Sequence, residues 1–205
     1  MSIHINSLYG YCCNCCDVDS EDERAQLMRL ERIAALPTAE LLNLLDEAVL
    51  QAVSAAARVV VDRLGSERIY GFILMHYLFL NCGVSVLTEA QLERSVRLHT
   101  KRSPDASKLA GYRWTPVDSG YYFFREDLFA EVGYLIMPLE DRQQQDEVER
   151  IFIRAMHHVR KHIFTDPGIV LGIMDYTEGS GFDYINHAEL FNDAATLARY
   201  KEEMP

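Results

Sequence analysis

From Ile69 to Leu87 the chain carries no Asp, Glu, Lys or Arg, and this uninterrupted apolar run restricts the fold more than any other feature. A run of that length has two physical solutions: a helix that crosses a bilayer, or strands buried on both faces. Gly71, His76, Asn81, Gly83 and Ser85 interrupt it. Ile69-Tyr70-Gly71-Phe72-Ile73 and Val84-Ser85-Val86 have the aromatic and β-branched composition of strands. The run therefore predicts two buried strands joined near Asn81, and no membrane span.

The flanking segments read as helices. Leu27, Leu30, Ile33 and Ala34 recur at helical spacing within Ser20 to Leu36, and Pro37 ends that segment. Thr38 reads as the N-cap of a long helix whose Leu41, Leu42, Leu45, Ala48, Val49, Ala52, Val53, Ala56 and Val60 form one face, with Gly65 as the stop. Thr88 followed by Gln91 is a capping-box pattern, so Glu89 to Thr100 should be helical with Leu92, Val96 and Leu98 turned inward. A polar loop, Lys101 to Leu109, comes next. Gly111 to Pro116 reads as a strand, with Tyr121 to Phe124 as its partner across a turn. A helix from Phe124 or Arg125 to about Met137 follows, carrying Leu128, Phe129, Val132 and Leu135, and Pro138 separates it from a strongly striped helix over Asp141 to Phe164. After an Asp166-Pro167-Gly168 turn, Ile169 to Met174 is an apolar strand. The remainder from about Tyr184 is helical, with a break at Asn192-Asp193. This order predicts an α+β fold, a small, mainly antiparallel sheet covered by several helices. Residues 1–19 read as a flexible Cys-rich segment and residues 20–205 as a single domain.

With 20 basic against 31 acidic residues, the chain has a formal charge of -11 and a pI near 5.0. That balance opposes attraction to nucleic-acid phosphates or anionic lipids, so nucleic acid is not an expected partner. A protein partner, neutral or basic in character, is. Met1 to Tyr11 lacks the basic start of an export signal, which makes the cytoplasm the expected location.

The sole tryptophan lies in Tyr112-Arg113-Trp114-Thr115-Pro116-Val117-Asp118. On the structural reading Trp114 anchors the core while Arg113 pairs with an acid such as Asp118 or Asp175. On the functional one, Tyr112, Arg113, Trp114 and Asp118 line a binding groove. The block resembles the Tyr-Arg-Trp-Ser/Thr-Pro signature of DUF4303, a bacterial domain of unknown function, and the resemblance extends over much of Arg68 to Asn192. It implies a strand pair at Ile69 to Leu87 and brings no activity with it. Relatives tend to place another tryptophan after the Asp, where this chain has Ser119-Gly120-Tyr121.

Four of the five cysteines, Cys12, Cys13, Cys15 and Cys16, fall within five residues. Their two-residue separations match zinc and iron-sulfur knuckles, although such sites draw further ligands from a second, distant knuckle. The alternatives are redox pairing between chains, acylation or an exposed tail. His158 and His162 have one-turn spacing without the intervening glutamate of a zinc-protease helix, and read with His157 as boundary histidines. Ser180 lacks a complete nucleophile or phosphate-loop signature and reads as part of a flexible connection. No catalytic residues and no required cofactor emerge, zinc or iron at the cysteines being the exception to test. The expectation is a non-catalytic protein-binding factor of the immunity or antitoxin kind. Its rivals are a metal- or redox-responsive protein using the cysteine cluster, and an enzyme with a site around Trp114, Asp118 and Asp175.

Overall fold

In a computed structural model, which describes residues 21–77, 81–100, 109, 112–115, 120–176 and 187–203, the apolar run folds as two strands. These are β1 (Ile69–Tyr77) and β2 (Asn81–Thr88), antiparallel with Tyr77 opposite Asn81 and Ile69 opposite Thr88. On the other side of β1 lies β4 (Val170–Tyr176), parallel to it, while β3 (Gly120–Phe124) pairs antiparallel with β2. The sheet order is β3-β2-β1-β4, an α+β arrangement with a mixed, mostly antiparallel sheet. No helix among the described residues is long and apolar enough to cross a membrane.

The chain divides into two compact units, Met1–Leu36 and Pro37–Pro205. Helix α1 (Glu21–Ala34) belongs to the first, with Leu27, Leu30 and Ile33 half-buried. In the second unit, helices cover both faces of the sheet, which explains why β1 is apolar at consecutive positions. Phe72 and His76 point to one face, where Phe72 meets Phe164 and His76 meets Phe152. That layer is built from α2 (Thr38–Leu64), α4 (Ala130–Asp141) and α5 (Gln145–His162). Ile73, Met75, Leu87, Val170 and Met174 form the opposite core with Trp114, with Leu92 and Val96 of α3 (Glu89–Thr100), and with the C-terminal helices α6 (Ala188–Phe191) and α7 (Ala194–Glu203).

Several local expectations are corrected. Of the segment expected as a strand, Gly111 to Pro116, the described residues 112–115 are not extended into the sheet: Tyr112 is helical and Arg113 and Trp114 form a turn. The turn releases the block from the sheet and lets Trp114 drop into the core beneath α7, so β3 takes β2 as its partner. Leu98 is 69% exposed rather than inward, since it lies two residues past Val96 and thus on the opposite side of α3. Pro138 lies inside α4 instead of ending it. It is in the last turn, where its missing N–H removes a single helical bond and its ring is buried. α4 begins later than expected, after a 3-10 helix over Glu126–Phe129, and α5 begins only at Gln145. Thr38 is the first residue of α2, and its hydroxyl accepts a hydrogen bond from Arg142 (3.0 Å) instead of capping the helix. Gly65 closes α2 in a right-handed conformation.

Candidate functional site

The tryptophan block is placed by contacts on three sides. Trp114 is 7% exposed and sits edge-on between Tyr70 of β1 and Tyr200 of α7, with ring centroids 5.2 and 4.7 Å away. The Tyr70 hydroxyl donates to the backbone carbonyl of Arg113 (2.6 Å). Tyr112 stacks on His99 of α3 at 5.6 Å. Trp114 Nε1 is buried and finds no hydrogen-bond acceptor among the described residues.

Arg113 points away from Trp114 into a cleft. Its Nη1 and Nη2 donate to the two carboxylate oxygens of Glu89, the first residue of α3, at 2.9 and 3.1 Å. This planar fork is the strongest geometry available to an arginine and a carboxylate. Glu203 Oε2 lies 3.8 Å from Arg113 Nε, and the guanidinium carbon stands 4.7 Å from the Tyr70 ring centroid. Burial works against the Arg113 charge, but the hydrogen bonds and charge of Glu89, followed by Glu203 and Tyr70, outweigh it and raise its pKa. Among the described residues, the carboxylate gripped by Arg113 is Glu89. Asp118 lies outside the described residues, as does the side chain of Asp175, whose backbone pairs with His76 in the sheet.

Around this pair is a cleft of about 220 Å³, lined by Arg68, Ile69, Tyr70, Glu89, Arg113, Asp166, Gly168, Arg199 and Glu203. It opens where β1 begins, where the turn before β4 ends, and where α3 starts and α7 finishes. Arg199 reaches across to the Gly168 carbonyl with its Nη2 (2.6 Å). One wall of the cleft is braced by a second network: Glu67 accepts from Thr88 and from the Tyr121 hydroxyl, both at 2.7 Å. Thr88 in turn accepts the Gln91 N–H (3.2 Å), the cap that the Thr88 to Gln91 pattern predicts. Three guanidinium groups and three carboxylates share the cleft, so it is polar with no large excess of either charge.

A family model described as Domain of unknown function (DUF4303) matches residues 49–166, more than half of the chain. The chain belongs to this family. Within the DUF4303 span fall β1, β2, α3, Arg113 and Trp114. Arg199, Tyr200 and Glu203, which complete the cleft and the tryptophan clamp, lie beyond it. No curated protein and no solved structure gives a match.

Of the residues singled out from sequence, Arg113 and Trp114 are brought together with Tyr70, while Tyr112 packs aside against α3. Cys12, Cys13, Cys15, Cys16 and Ser180 lie outside the described residues. His158 and His162 have ring centroids 4.5 Å apart, and His157 packs on Phe191. Among the described residues no group of three or more His, Cys, Asp or Glu is arranged to hold a metal ion. Sequence reasoning did not find Tyr70, Glu89, Arg199 or Glu203, since each looks locally like an ordinary strand or helix residue. Only the Thr88 to Gln91 cap hinted that α3 would start at a fixed point.

Proposed function

We propose that the protein is a cytoplasmic, non-catalytic binding factor of the immunity or antitoxin kind, and that it meets a basic protein partner with the acidic end of its helical layer. The observation that carries this reading is the way α2, α4 and α5 converge. Arg142 joins the α4–α5 connection to the start of α2, and Arg154 of α5 reaches Asp46 of α2 (3.0 Å). Glu40, Asp46, Glu47, Glu140, Asp141, Asp146, Glu147 and Glu149 thereby share one end of the layer. The arginines there are already engaged: Arg142 by Thr38, Arg150 by Glu147 and Arg154 by Asp46.

Helix electrostatics accounts for only some of these acids. Asp146 and Glu147 stand in the first turn of α5, where the macrodipole favours negative charge. Asp141 ends α4, whose last turn holds no basic residue, and there the dipole opposes it. A carboxylate kept against that cost fits a surface selected for its charge. Leu44, 40% exposed and one turn from both Glu40 and Glu47, supplies an apolar contact within the acidic rim. One cation of α5 is drawn inward instead. Arg160 donates to the carbonyls of Phe164, Asp166, Ile169 and Phe191 and to Asn192 Oδ1.

The test is affinity capture from the host cytosol over a salt series, using the native chain and a triple variant, Asp141→Lys, Asp146→Lys and Glu147→Lys. A basic protein should be retained by the native chain, less so as salt rises, and its on-rate should fall several-fold for the variant. Retention that is indifferent to both salt and charge reversal sinks the reading.

A further inference from the structure

The charges in the cleft fall into two groups. Arg113 and Glu89 neutralise one another through their paired hydrogen bonds and form a fixed floor. Four other charges face the same space without being matched in this way. Arg68 is exposed and lines the cleft. Arg199 uses Nη2 on the Gly168 carbonyl, while its Nε is buried with no acceptor among the described residues. Asp166 spends Oδ1 on the Gly168 N–H of its own turn (2.7 Å). Glu203 lies beyond hydrogen-bonding distance of Arg113.

We propose that this cleft binds a small zwitterion of the free amino-acid type, with its carboxylate held by Arg199 and Arg68 and its ammonium group by Glu203 and Asp166. Guanidinium groups and carboxylates make charge-assisted hydrogen bonds, so the two cations suit a ligand carboxylate and the two acids its ammonium group. Three carboxylates balance the three guanidinium groups, so the cleft lacks the net positive charge that would favour a nucleotide or other oligophosphate. The volume agrees, because about 220 Å³ falls below the roughly 300–1,000 Å³ of clefts that hold drug-sized ligands. Ile69 and Tyr70 give the ligand an apolar wall. This site is separate from the acidic end of the helical layer and stands independently of any protein partner.

The only tryptophan in the chain packs against Tyr70, a cleft residue, so its fluorescence gives a direct readout. The full chain is titrated with glycine, alanine, glutamate and lysine, and with acetate, methylammonium and inorganic phosphate as single-charge comparisons, with calorimetry in parallel. At least one amino acid should saturate the signal at concentrations where the comparison ions do not. Arg68→Gln and Glu203→Gln should each weaken that binding by about tenfold, each removing one charge-assisted contact. Both residues reach solvent, so the melting temperature should hold. The proposal is overturned if no amino acid binds, if acetate or phosphate binds as well as any amino acid, or if Glu203→Gln leaves the affinity unchanged.

Discussion

Trp114 shows how one side chain serves two neighbours. Its indole fills the space between Tyr70 and Tyr200, and its burial aims the preceding Arg113 outward at Glu89. Trp114→Ala should therefore lower stability by about 3–5 kcal/mol, the usual cost of deleting a large buried aromatic; urea denaturation measures it, and a loss below about 1 kcal/mol would contradict a core role. Arg113→Lys keeps the charge but loses the fork. A cost of about 1.5–3 kcal/mol is expected by the same measurement, the range for hydrogen bonds to charged groups. Cys82 gives a prediction in pH. Burial, slightly opposed by a backbone hydrogen bond from Gly83, pushes its thiol from 9.0 up to about 12. Below pH 9.0 both folded and unfolded chains keep the proton, so the thiol's contribution is intact. Between there and about 12 the unfolded chain alone ionises, and stability is lost as pH rises, by at most about 1.4 kcal/mol per pH unit. Comparing alkaline denaturation of the native chain with that of Cys82→Ala isolates the effect, which should be absent in the variant.

Elements hold their places here through side chains that imitate backbone. Asn192, in the break between α6 and α7, accepts the Leu171 N–H (3.0 Å) and donates to the Leu171 carbonyl (2.7 Å), pairing with the open edge of β4 as a further strand would. Its amide also meets the Ala188 carbonyl and Arg160. Asp193 then caps α7 by accepting the Thr196 N–H (2.7 Å). Asn192→Ala strands several buried partners at once and should cost about 2–4 kcal/mol, with amide exchange at Leu171 accelerated. The sheet's other edge depends on close backbone approach. A Cβ on Gly120 would stand 2.6 Å from the Val86 carbonyl oxygen, a distance that only movement of β3 can relieve. Gly120→Ala should loosen β3, seen as lost exchange protection from Gly120 to Phe124 while β1 and β4 remain protected.

For the whole molecule the question is what its surplus negative charge does. If the acidic end of α2, α4 and α5 serves a partner, reversing Asp141, Asp146 and Glu147 should slow association several-fold while the melting temperature falls only slightly, since the helix-dipole and Arg150 interactions lost at Asp146 and Glu147 contribute about 1 kcal/mol or less each. Asp141 and Asp146 are exposed, Glu147 is half-exposed, and all three lie off the buried stripes of their helices. Thermal melting beside the binding kinetics separates the two effects. Much of this architecture was legible beforehand. The uncharged run from Ile69 to Leu87 can hide its side chains from water only by being covered on both faces, and the three- and four-residue spacings of α2 and α5 follow from a helix presenting one side to a core. Those are local periodicities, and a sequence carries them openly. Contacts between distant segments are not written that way. Glu89 and Arg113, Arg199 and Gly168, and Tyr70 with Trp114 and Tyr200 meet only because the sheet and its two helical layers bring together the start of β1, the start of α3 and the end of α7. Arg113 and Trp114, expected to be extended, form a turn for the same reason: burying the Trp114 indole against two tyrosines outweighs the strand preference of its neighbours.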